Sequence, residues 1–173
     1  MDVWQAITTQ RAVRSFSGRP LEPEHLERIL RAGRRAPSSK NEQRWAFVVC
    51  SERERLRALS RVGPYAGHLA GAAVGIALVI PDAGERGKAE SIAFDLGQCA
   101  QTMMLAAWEL GIGSVHATVY EEDLVREILG YPGGHICPYL ISFGYPADPD
   151  ELERPLRKGG RTPLGELVHH ERW

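Results

Sequence analysis

Three short segments of this chain carry residue types able to hold an anion or a polar ring. Residues 36–45, Ala-Pro-Ser-Ser-Lys-Asn-Glu-Gln-Arg-Trp, bring two hydroxyls, two amides and an amine into one loop. Residues 10–16, Gln-Arg-Ala-Val-Arg-Ser-Phe, set Arg11 and Arg14 three residues apart. Near the C-terminus, Arg161 opens the run Arg-Thr-Pro-Leu. Guanidinium forks match phosphate oxygens in a bidentate manner, so several converging on one point make an anion site. Each segment alone also has a plain structural reading. Loop Ser and Asn side chains often satisfy their own backbone, and most arginines sit at the surface in weak ion pairs.

The elements around these segments follow from periodicity. Asp2 can cap a short helix that carries Val3, Trp4, Ala6 and Ile7 into the core. The chain then runs extended from Val13 to Phe16 and turns at Ser17-Gly18. A second helix starts at Pro23, with Leu26, Ile29, Leu30 and Gly33 on one side. Glu24 with Arg28, and Glu27 with Arg31, are spaced as ion pairs on its solvated side. Pro37 cannot continue that helix and biases Ala36 away from helical dihedrals, so the polar loop begins sharply. Residues 46–50 then read as a buried strand. Ser51 can cap a helix to about Ser60, and a shorter one is expected from Tyr65 to Ala70. Residues 74–80 form the second strand. The most regular element spans about Lys88 to Leu110, where Ile92, Leu96, Cys99, Met103, Ala106 and Leu110 form an apolar seam. Phe94, Ala100, Met104 and Ala107 widen it, which predicts burial in a core and, in part, at a subunit interface. Strands at 114–119 and 136–143 enclose a short helix at 121–129. The tail from Pro146 onward has few large apolar groups, and Leu164, Leu167, Val168 and Trp173 predict that its end docks on another surface.

Bulk properties bound the function. With 173 residues, 43% hydrophobic and 25% charged, the chain is expected to form one domain with a real core. A formal net charge of −1 gives no whole-chain nucleic-acid footprint. The longest apolar run, residues 72–80, is far too short for a membrane span, and no targeting signal is expected. Cys50, Cys99 and Cys137 lie far apart without zinc-like spacing. Buried free thiols in a reducing cytoplasmic setting are the expectation. His169-His170 lack a third ligand and read as surface residues.

Taken in order, these segments resemble the FMN-dependent nitroreductase family in its short bacterial form, over essentially the whole chain. The likeness runs through Arg-x-x-Arg-x-Phe at 11–16 and Ala-Pro-Ser-Ser-x-Asn-x-Gln-x-Trp at 36–45. It continues through Leu-Gly-Ile-Gly-Ser at 110–114, Leu-Gly-Tyr-Pro at 129–132 and Gly-Tyr-Pro at 144–146. It closes with Arg-x-Pro-Leu-x-Glu-Leu-Val at 161–168. The resemblance implies an α+β fold with a central, mainly antiparallel sheet between helical layers. It also implies an intertwined homodimer, with residues 146–173 reaching over the partner and FMN bound at the interface. Arg11, Arg14 and Arg161, with Gln10 and Ala12 in the same arm, are then the phosphate end of the cofactor site. Ser38, Ser39, Asn41 and Gln43 fall by the ribityl chain and ring edge, and the backbone of Val115, His116 and Ala117 lies near the flavin.

The implied activity passes electrons from NAD(P)H through FMN to a nitroaromatic, quinone or similar small acceptor in a ping-pong scheme. No protein nucleophile is involved and no catalytic residue is assigned. Gln10 and Ala12 stand where the family often has Arg and Ser, and Arg44 stands where it usually has proline. His116 invites a reading as proton donor, but a histidine on a strand is more often a packed or hydrogen-bonded structural residue. Two alternatives stay open from the residues: specialised flavin chemistry on the same fold, and a non-catalytic flavin carrier or dimeric binding module. A deazaflavin in place of FMN would leave the same motifs.

Overall fold

The computed structural model describes residues 1–154 and 160–173. Its centre is a four-stranded sheet of β1 (Ala46–Cys50), β2 (Val74–Pro81), β3 (Gly113–Thr118) and β4 (His135–Gly144). The strand order is β1-β2-β4-β3 and every pairing is antiparallel. The α+β expectation holds. A single parallel bridge, Ala12 to Ser114, adds the N-terminal arm beside β3.

The two sheet faces are covered by different helices, and the period of two along β2 sorts its side chains between them. Val74, Ile76, Leu78 and Ile80 join Ile141 and Phe143 of β4 under α2 (Pro23–Arg34) and α4 (Arg86–Glu109). Ala77, Val79 and Leu140 face α3 (Arg53–Leu59), the 3₁₀ turn Gly67–Gly71 and α5 (Glu122–Leu129). Residues 74–80 are buried without a break, as a strand covered on both faces must be. Each large aliphatic side chain there contributes about 1.5–3 kcal/mol by leaving water.

Several expectations change in detail. The first helix, α1 (Val3–Thr9), is capped as expected: Asp2 accepts the Gln5 N–H and the Gln5 side chain accepts the Asp2 N–H. It does not enter the core, however. No α1 residue is buried and Trp4 is 72% exposed. Its apolar face is real, but nothing among the described residues covers it. On α2 the Glu27–Arg31 pair forms at 2.6 Å, whereas Arg28 reaches across to Glu109 of α4 instead of turning back to Glu24. Glu52, not Ser51, stands at the start of α3, without a side-chain cap. Helix α4 carries the seam inward through Ile92, Leu96, Cys99 and Met103, while Phe94 remains 71% exposed on its other side. The tail forms a 3₁₀ turn at Pro149–Leu152 and α6 (Leu164–Leu167), then ends at Trp173, 99% exposed. Residues 155–159, part of the tail expected to cross a partner, lie outside the described residues.

The arm between α1 and α2 is tied to the sheet at close range. Val13, fully buried, donates its N–H to the Ser114 carbonyl at 3.0 Å. Ser17 donates to the Tyr145 carbonyl and Ala147 to the Ser15 carbonyl. Glycine at 113 is what admits Val13, because a Cβ there would lie 2.5 Å from the valine Cβ. Val13 is β-branched and stiff, so it cannot rotate away. Gly113→Ala is expected to destabilise the fold by about 1–3 kcal/mol through overpacking. The urea denaturation midpoint measures this, and an unchanged midpoint would show that the arm is not seated there.

Candidate functional site

The arm presents its arginines through contacts with α4. Thr9, at the end of α1, accepts the Trp108 indole N–H on its hydroxyl at 2.9 Å. The Thr9 carbonyl accepts from Arg11 Nε at 3.2 Å, and the Arg11 guanidinium lies 5.8 Å from the centre of the Trp108 ring. A buried tryptophan therefore orients one cation by both its faces and its edge. Arg14, one residue beyond the buried Val13, is exposed.

These arginines border a cavity of about 980 Å³ where the arm, the edge of β3, the turn Gly67–Gly71 and the middle of α4 meet. That volume lies at the upper end of ordinary ligand clefts, about 300–1,000 Å³. Gln10, Arg11, Ala12 and Arg14 form one wall, and Val115, His116 and Ala117 form another. Arg161 arrives from the tail, and Gln101 and Met104 of α4 close the back. Eight of the residues singled out from the sequence are thus together. Among the described residues every charged side chain on this cavity is a cation, and no Asp or Glu lines it. A smaller cavity of about 280 Å³ adjoins it under α4, sharing Gln101, Met104 and His116. The His116 ring meets Tyr139 edge-on at 6.3 Å.

His68 was not singled out from the sequence, yet it lines the same wall. Its Nδ1 lies 2.8 Å from the Ser142 hydroxyl, and its Nε2 is buried without a hydrogen-bond partner. Ser114 Oγ is likewise buried and unpartnered. Burial, then the nearby Arg14 and His116, push the His68 imidazole down to about 4. A lone histidine in Ala-Gly-His-Leu-Ala offers no spacing signal, so only its place in the fold could reveal it.

The polar loop lies elsewhere. Ser38, Ser39, Asn41 and Gln43 do not line the cavity of their own chain. They form a strained turn beside the N-terminal half of α4, with Lys40, Asn41 and Gln43 all in the left-handed region (φ 52°, 57° and 49°). For non-glycine residues this conformation costs about 1–2 kcal/mol each, and such strain gathers at functional loops. Much of the loop's polar capacity serves the loop itself. Ser38 Oγ accepts the Gln43 N–H at 3.0 Å, and the Gln43 amide donates to the Asn41 carbonyl at 3.2 Å. Ser91 donates to Ser39 Oγ, and Asp95, only 5% exposed, accepts the Ser39 N–H at 2.9 Å. Asp95 is a second residue missed in the sequence. Its signal was an acid set inside the α4 seam between Ile92 and Leu96. Arg44, which stands where the family usually has proline, pairs with Glu42 in a partly buried contact.

A sequence model of the Nitroreductase family matches residues 7–67 and 57–145. The chain belongs to the Nitroreductase family. One relative, from Archaeoglobus fulgidus, is named "Putative NADH dehydrogenase/NAD(P)H nitroreductase" and is 31% identical over 96% of both chains. Another, a Thermus thermophilus protein named NADH dehydrogenase, is 30% identical over 86% of this chain and 88% of its own. Among solved structures, an FMN-dependent nitroreductase from Clostridium difficile R20291 superposes with a TM-score of 0.82. That match covers 99% of this chain and 100% of the other at 24% identity, and so speaks to the fold. Among the described residues no helix is long and apolar enough to cross a membrane, and no cluster of three metal-ligating side chains occurs.

Two outcomes are expected. Asp95→Ala leaves the Ser39 N–H without its charged acceptor and should cost about 1.5–3 kcal/mol, read from the urea midpoint alongside faster proteolysis at Lys40. For His68, the unfolded imidazole titrates near 6.5 and the folded one near 4. The unfolded chain therefore binds more protons in that window, and stability present above pH 6.5 is lost as pH falls toward 4. His68→Gln should flatten the pH dependence of the midpoint between those limits.

Proposed function

We propose that the chain is an NAD(P)H-dependent FMN oxidoreductase that reduces a nitroaromatic, quinone or similar small acceptor by a ping-pong mechanism. The observation that carries this reading is the carboxylate-free cavity in which Arg11, Arg14 and Arg161 converge beside β3, on the fold of its family. The names of its relatives support NAD(P)H as donor and FMN as cofactor. The residues present fit the group: cations for a phosphate, a strand edge for a flat ring, and the unpaired His68 Nε2 and Ser114 Oγ for polar edges.

When bound, FMN would supply the redox chemistry between nicotinamide and acceptor. Arg11, Arg14 and Arg161 would hold its phosphate, with Gln10 and Ala12 giving the arm its path, and Val115, His116 and Ala117 would flank its ring. No side chain is assigned as acid or base.

The working unit in this reading is a homodimer. Trp4 and Ile7 of α1, Phe94 of α4, and Leu164, Leu167 and Trp173 of the tail are exposed apolar groups of a kind that subunit interfaces cover. A second copy brings its Ser38–Gln43 loop to the cavity that this chain's own loop does not reach, which completes the set Ser38, Ser39, Asn41 and Gln43.

The visible absorption spectrum of the purified protein, with the mass of any heat-released small molecule, tests the cofactor directly. Flavin bands and the mass of FMN are expected. A colourless protein that takes up no added FMN would overturn the reading. Arg11→Ala and Arg161→Ala should each weaken FMN binding about ten- to a hundredfold, the worth of a charge-assisted hydrogen bond. Size-exclusion chromatography should show the dimer retained.

A further inference from the structure

His68 stands out because its two ring nitrogens are treated so differently. The Ser142 hydroxyl donates its one proton to the Val115 carbonyl at 3.2 Å and lies 2.8 Å from His68 Nδ1. A carbonyl can only accept, so both contacts are hydrogen bonds at once only when the hydroxyl donates to Val115 and accepts from Nδ1–H. In that arrangement the neutral ring carries its proton on Nδ1, and Nε2 is left with a lone pair. That atom is buried, has no partner, and belongs to a residue on the wall of the 980 Å³ cavity. Buried polar atoms are rarely left this way without cause.

The surroundings explain why the lone pair stays unprotonated in the bare cavity. The charged and titratable side chains that share the wall are Arg11 and Arg14 from the arm, Tyr65 before the turn, His116 from β3 and Arg161 from the tail. None is an acid. A proton on Nε2 would add one more positive charge to a set of cations, with less water than usual to screen it. An anion entering the cavity reverses that balance. Its charge attracts the proton, and the protonated Nε2–H becomes a donor toward it.

We propose that His68 takes up a proton from solvent at Nε2 when an anionic flavin cofactor enters this cavity, and holds that anion as an imidazolium donor. The inference rests on the flavin reading above. It adds that cofactor binding and His68 protonation are one linked equilibrium. By reciprocity, lower pH strengthens binding through this residue until the free imidazole is itself protonated.

The test is calorimetric titration of cofactor-free protein with FMN at pH 6 to 7.5, each pH in two buffers of different ionisation enthalpy. Those pairs of titrations give the number of protons taken up per FMN bound. FMN's own phosphate titrates near pH 6, so the wild type is compared with His68→Gln, whose difference cancels that contribution. The expected result is a difference of up to one proton per site, with the affinity of His68→Gln losing the part of its pH dependence that the wild type shows. An equal proton count in both proteins, with FMN bound by both, would overturn the role of His68 and leave the flavin reading intact. No FMN uptake by the wild type would overturn both. Histidine ring resonances followed by NMR in the wild type, with and without FMN, provide the measurement should His68→Gln not fold. The resonance assigned to His68 through its contact with Ser142 is the one that counts: its titration moving to higher pH on FMN binding supports the proposal, and its staying in place overturns it.

Discussion

The seating of Val13 over Gly113 is the contact on which the rest of the site depends. A buried, β-branched side chain fills the space a glycine leaves, and its N–H is bonded to the neighbouring Ser114 carbonyl. The arm is thereby a partial fifth strand beside β3. Arg11 and Arg14 stand on either side of the anchored residue, so their distance from the β3 backbone is set by covalent geometry rather than by side-chain reach. Trp108 then fixes the direction of Arg11 from below. Cations held this way lose little freedom when they meet an anion.

Much of the fold was legible in the sequence because apolar periodicity reports directly which face of an element avoids water. The seam of α4, the unbroken apolar run of β2 and the proline stop before the loop all read true. Periodicity does not report what covers a face. The apolar side of α1 was therefore assigned to the core, although it lies open on this chain. The loop at 38–43 and the cavity were grouped by the family resemblance, at a subunit interface, and within one chain they lie apart. Short motifs record residues that meet, and they do not say whether the meeting is within a chain or between two. Arg28 chose Glu109 over Glu24 because helix packing brings α4 beside α2, a fact no local spacing contains. His68 and Asp95 escaped because each is a single polar residue whose meaning comes from burial.

The cysteines give the contrasting case, in which burial makes a reactive group silent. Cys99 and Cys137 lie in the two cores, and burial pushes both thiols up to about 12. A thiol held that far from ionisation is a poor nucleophile and a poor metal ligand. In Cys137 the nearby Glu122 adds to the effect. The groups left accessible for chemistry are instead the cavity's cations at the sheet edge and the polar loop.

Helix α4 reaches both halves of that chemistry. Near its beginning, Ser91 and Asp95 anchor Ser39 at the start of a loop in which Lys40, Asn41 and Gln43 are left-handed. Further along, Gln101 and Met104 close the cavity. The free-energy cost of shaping the loop is met during folding, through a carboxylate on a rigid helix. A group that later docks against the loop meets a surface that is already immobile, and little entropy remains to be lost. Sub-ångström shifts of α4 would also be felt at both places at once, which makes this helix a shared rigid frame between the loop and the cavity.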